Sequence, residues 1–158
     1  MFSAPLQPAM RRSGSMTVVA LGPAACVEIE GFVREALGCT CAPAVFENVR
    51  LETSPAAFPG NPRARLLSIG GRLLVLLVDG ITGKGAAEQI NTLLRQGCGL
   101  RDAGGFNRFR LVIVAPPGCE PGVQPVFDGV DPVEERVHLH TLSASQLPAL
   151  LRTPAEAQ

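Results

Sequence analysis

The residues of this sequence whose types could do chemistry are three of its five cysteines, Cys39, Cys41 and Cys98, and the run Gly83-Lys84-Gly85. Converging thiols can hold zinc as thiolates or exchange disulfides with a partner. Cys39 and Cys41 are separated by one residue, a spacing less diagnostic than paired Cys-x-x-Cys, and no fourth ligand is apparent. A thiol just past a helix feels the partial negative charge of the C-terminus, which disfavours a free thiolate and makes zinc the stronger functional version. The plain alternative is that all three are small apolar residues buried at helix ends. Gly83-Lys84-Gly85 would open a helix with unpaired backbone N–H groups, which suits an anion, against the alternative of a solvated loop. His138 and His140 alternate along one face of a strand and read as half-exposed strand positions.

These residues depend for their placement on the stretch Arg63 to Gly99, which contains the longest apolar run. Arg65 to Ile69 and Leu73 to Val78 read as strands joined at Gly70-Gly71, which supplies the positive φ angles of a tight hairpin. Leu73 to Val78 is apolar at six successive positions, the pattern of a central strand covered on both faces. Ala86, Ala87, Ile90, Leu93 and Leu94 recur at helical spacing until Gly97 and Gly99.

Upstream, Thr17 to Leu21 reads as a strand, and Gly22-Pro23 opens a helix whose buried stripe is Ile29, Phe32, Val33, Ala36 and Leu37, ended by Gly38. Val45 to Glu52 is a strand, half-exposed in its alternation, and Thr53 to Pro62 is a loop. Downstream, Arg108 to Ala115 is a second buried strand, Pro116 to Pro132 a long connection, Arg136 to Leu142 a strand, and Ser143 or Ser145 caps a short helix carrying Leu147, Leu150 and Leu151. The predicted class is α/β: a mixed sheet with a β-meander and helices on both faces. Within that order, Cys39, Cys41 and Cys98 are expected at one edge of the sheet, and Gly22-Pro23 and Gly83-Lys84-Gly85 at the other. Cys26 lies about 20 Å from Cys39 along the first helix, and Cys119 also falls at the opposite edge.

Three resemblances add to this. From the first helix through Ala115 the order αβββαβ resembles the core of the PD-(D/E)XK restriction-endonuclease-like superfamily. That likeness implies metal-binding acids and a lysine on the second and third meander strands. Here those places read Arg63-Ala64-Arg65 and Leu76-Leu77-Val78-Asp79, so a metal-dependent phosphodiesterase would need a displaced set, Glu52, Asp79 and Lys84. Phe32 to Phe46, FVREALGCTCAPAVF, resembles the Leu-Gly-Cys-x-Cys-Pro-x-x-Val-Phe signature of small bacterial and archaeal proteins of uncharacterised function, with Ala42 inserted before the proline. This likeness carries no activity and points only to Cys39 and Cys41. Gly80 to Gly85 resembles a phosphate loop, but its glycines are too close together and Gly85 stands where Ser or Thr would meet magnesium.

With 158 residues, 46% of them hydrophobic, and no net charge, the chain suits one domain with a core, and residues 17–152 are assigned to it. Residues 1–16 read as a disordered leader and 153–158 as a frayed tail. Arg11-Arg12 before Thr17 to Ala25 faintly suggests a signal peptide, which Gly22-Pro23 interrupts. Thirteen scattered arginines and one lysine form no basic stripe for nucleic acid, and Arg72 and Asp79 bracket an apolar run too short for a bilayer. An odd cysteine count without regular spacing favours a reducing cytosol over a disulfide framework. The expected role is an accessory or binding domain without catalysis of its own, with a thiol or zinc site. The enzymatic alternative is the phosphodiesterase, and the interaction alternative is pairing or homo-oligomerisation through Arg136 to Leu142.

Overall fold

The fold is seen in a computed structural model that describes residues 17–53, 55, 58, 64–79, 81, 85–115 and 136–152. The leader, the tail, Gly83, Lys84, Cys119 and the connection from Pro116 lie outside them. Among the described residues six strands form one mixed sheet in the order of the chain: β1 (Thr17–Ala20), β2 (Val49–Thr53), β3 (Arg65–Ile69), β4 (Leu73–Asp79), β5 (Arg108–Ala115) and β6 (Val137–Ser143). β1 to β4 pair antiparallel, while β5 is parallel to β4 and β6 to β5. The expected α/β class with a meander and helices on both faces is what forms.

Gly70 and Gly71 take φ of 58° and 67°, and the Arg72 N–H closes the turn on the Ile69 carbonyl at 3.0 Å. A side chain with a Cβ is strained at such angles, so glycine sets the hairpin and with it the register of the core strands. All six residues from Leu73 to Val78 are buried, alternately on the two faces. Each contributes about 1.5–3 kcal/mol of gross burial free energy, which explains why this run occupies the middle of the sheet.

Helix α1 (Pro23–Glu35) covers one face through Ile29, Phe32 and Val33, packed on Leu67, Val75 and Leu77. Helix α2 (Ala86–Gly104) covers the other through Ile90, Leu93 and Leu94, packed on Leu74, Leu76 and Leu111. α2 does not stop at Gly97 or Gly99. It runs on to Gly105, whose φ of 73° ends it. Gly97 instead lies under the ring of Phe109 on β5, where a Cβ would overlap the ring. Close approach, and not termination, is what that glycine provides.

Two further expectations shift. The segment from Pro43 to Glu47 is a 3₁₀ turn, so β2 starts only at Val49. The C-terminal helix is two 3₁₀ turns, Ala144–Gln146 and Ala149–Leu151, divided at Pro148. Proline has no N–H to give and disfavours helical angles in Leu147 before it, so one continuous helix cannot form. Ser143 does mark the start, its N–H donating to Gln146 Oε1 at 2.9 Å.

Candidate functional site

The site begins with the way α1 ends. After Ala36 the chain reverses at Gly38, φ 69°, and the Cys39 N–H donates back to the Val33 carbonyl at 3.1 Å. That hook tucks Cys39 into the core beneath α1 and leaves Cys41 half-buried beside it. The two form a disulfide with Cα atoms 5.7 Å apart, within the usual span for such a bond.

Two arginines hold the hook. Arg34 donates to the Cys41 carbonyl at 2.7 Å, is paired with Glu30 at 2.9 Å, and lies over the Phe46 ring. Arg110, on β5, donates to the Leu37 carbonyl at 2.7 Å although only 4% of it is exposed. Arg110 on the Leu37 carbonyl, two residues past α1, offsets the partial negative charge of the helix end, while Arg34 places a second cation on the cysteine loop itself. The electrostatic objection to thiol chemistry at this helix end is therefore much weakened.

Arg110 also faces His140 Nε2 at 2.9 Å. Strand alternation places Arg110, His138 and His140 on the α1 face, in adjacent register on β5 and β6. Burial first, then Arg110 and then His138, pushes His140 down to about 4. At neutral pH its ring is uncharged, so Nε2 accepts from Arg110 and Nδ1 carries the proton. His138 is lowered by burial, then by Arg110 and Arg108, and Arg110 itself by burial and then Arg108. His140 thus supports the end of α1 through Arg110, and His138 lies beside it.

In front of the cysteines is a cleft of about 250 Å³ at the end of the sheet, lined by Cys39, Thr40, Cys41, Arg72, Asn107 and Arg108 among others. Its far wall is fixed by the Arg72 carbonyl, which accepts from the N–H groups of Asn107 and Arg108 at 2.8 and 3.0 Å. The β3–β4 turn and the α2–β5 turn are thereby clasped together. The expected edge is the one where the cysteine loop lies.

Cys98 does not join it. It sits within α2, half-buried against the cluster on the opposite face of the sheet. Because α2 runs on to Gly104, Cys98 is not at its end: it precedes the last helical residue by six positions, and helical phase turns it toward the α2 face of the sheet. Among the described residues no group of three His, Cys, Asp or Glu side chains can hold a metal ion. Cys26, at the start of α1, donates from Sγ to the Leu21 carbonyl at 3.6 Å, away from the hook.

The displaced phosphodiesterase set is not assembled by the residues described. Asp79 pairs with Arg65 at 2.8 Å, with side chains 8% and 5% exposed. Alternation puts Asp79 on the face of its register partner Val114, and Glu52 on the face of Leu66, the other one. Of the expected anion loop only Gly85 is described, with φ of 82° before the first residue of α2.

Arg72, Asn107, Arg108 and Arg110 were not singled out from sequence. Arg110 left a signal: an arginine two places inside an otherwise apolar strand costs too much unless it has a buried partner. Arg72 and Arg108 left none, because arginines beside turns and strand ends are commonly solvated. Compared with protein-family models, with curated proteins and with solved structures, the chain matches none.

Proposed function

We propose that this protein is an accessory or binding domain whose chemically active element is the Cys39–Cys41 pair, working as a two-electron thiol/disulfide couple in the cytosol. The observation that carries this reading is the meeting of the two sulfurs at the wall of a cleft. On oxidation the two thiols lose two electrons and two protons and form one S–S bond. Cys41 is half-buried and Cys39 fully buried, so exchange starts at Cys41. Zinc is the weaker alternative, since Cys98 lies across the sheet and the described residues offer no third ligand here.

The test is a redox titration of the whole chain in defined dithiol/disulfide buffers, with free thiols trapped by alkylation and counted by mass. Cys39 and Cys41 are expected to change together, at a potential more oxidising than about −300 mV, the range of accessible exchanging disulfides. A pair that stays dithiol under every buffer would sink the proposal, as would zinc co-purifying under reducing conditions and lost on Cys39→Ser.

A second reading has one observation in its favour. β6 is the last strand of the sheet, and among the described residues nothing pairs with its outer side. An edge of this kind can take a strand from another copy or another protein. Dimerisation seen in solution scattering and abolished by a proline at Thr141, whose N–H faces away from β5, would support it.

A further inference from the structure

Resting on the thiol/disulfide reading, we infer that the exchange partner at this cleft is a small anionic disulfide, oriented by Arg72 and Arg108. Both arginines line the cleft with Cys41. Neither makes a side-chain hydrogen bond or ion pair with another described residue, and the described residues of the lining include no carboxylate. By contrast, the other arginines that shape this end, Arg34 and Arg110, are committed to carbonyls, to Glu30 and to His140. Two cations that no described carboxylate neutralises, beside the half-buried Cys41, form a field that favours negative charge at the point of attack. Asn107 and Thr40 add neutral hydrogen-bonding groups suited to a peptide-like backbone. A volume of about 250 Å³ is enough to seat the reacting half of a small disulfide, with the remainder in solvent. The chain as a whole has no net charge, so any preference for anions must come from local groups.

The Cys41 thiolate attacks one sulfur of a disulfide RSSR, forming a mixed disulfide and releasing RS⁻. The Cys39 thiolate then attacks Cys41 Sγ, closing the intramolecular bond and releasing the second RS⁻. One RSSR is reduced to two thiols while the cysteine pair loses two electrons.

Three probes separate this inference from the reading beneath it: glutathione disulfide, which is anionic, hydroxyethyl disulfide, which is neutral, and cystamine, which is cationic. Oxidation of the reduced full-length chain is followed by alkylation trapping at low salt. The expected order is anionic, then neutral, then cationic, with about 3- to 10-fold between the first two, the scale of two screened surface charges. The double variant Arg72→Ser/Arg108→Ser should erase the order while still being oxidised by hydroxyethyl disulfide, and 0.5 M salt should compress it. Arg50→Ser, an exposed arginine on β2 outside this cleft, should leave it intact. Equal rates for all three probes in the native chain, or an order that survives in the double variant, overturn the inference alone. Failure of every probe to close the pair overturns the thiol/disulfide reading with it.

Discussion

Replacing Gly97 by alanine separates local propensity from tertiary packing, because the two predict opposite signs. Within a helix, alanine is favoured over glycine by about 0.8–1.0 kcal/mol, so propensity alone makes Gly97→Ala stabilising. The structure sets the Phe109 ring where the new Cβ would go. Phe109 is fully buried and cannot swing aside. Overpacking of this kind costs about 1–3 kcal/mol, and contact with several ring atoms at once places it toward the upper end. The net expectation is destabilisation by about 1–2 kcal/mol after the propensity gain is subtracted. Gly99 is the internal control: it lies on the same helix, exposed, with open space where a Cβ would stand. Gly99→Ala should therefore stabilise by about 0.8–1.0 kcal/mol. Urea unfolding of both variants, with unchanged slope, reads the two signs directly. Adding Phe109→Leu should cost less in the alanine background than in the glycine background, with coupling of about 0.5–3 kcal/mol. If Gly97→Ala raised the midpoint as Gly99→Ala does, the packing of α2 on β5 described above would be wrong.

Three further outcomes are expected. Asp79→Asn leaves Arg65 without its buried carboxylate partner and should destabilise by about 3–5 kcal/mol, whereas Arg65→Met/Asp79→Leu together should cost much less; urea unfolding distinguishes them. His140 is held at about 4 in the folded chain against an ordinary 6.5, so the unfolded chain binds the additional proton between those values. Its contribution to stability is complete above pH 6.5 and is lost as pH falls toward 4; the difference between native chain and His140→Gln, followed by unfolding at a series of pH values, should shrink over that window. Arg110→Met removes the charge beside His140 and the donor to the Leu37 carbonyl. The His140 titration followed by NMR should then move up toward 6.5, and stability should fall by about 1–3 kcal/mol.

Much of the fold was legible in the chain because it follows from short-range rules. The six apolar residues from Leu73 to Val78 could be satisfied only by a strand covered on both sides, and Gly70-Gly71 could be accommodated only by a tight reversal. Pro23 and Gly38 mark the ends of α1 for reasons contained in their own backbones. These residues determine element type and the β3–β4 hairpin before any long-range contact is considered.

What the tertiary structure alone decided is which side chains meet. The sequence brought Cys39 and Cys41 together by proximity in the chain, but the phase of α2 determines that Cys98 faces the other layer. Gly97 reads as a helix end until Phe109, twelve residues later, is found lying over it. Arg72 and Arg108 carry no local mark, and become neighbours of the cysteines because two turns from distant parts of the chain are clasped at one carbonyl. Backbone preferences act over a few residues, whereas a site is a matter of face and depth. Those are fixed only when both layers close on the sheet between them.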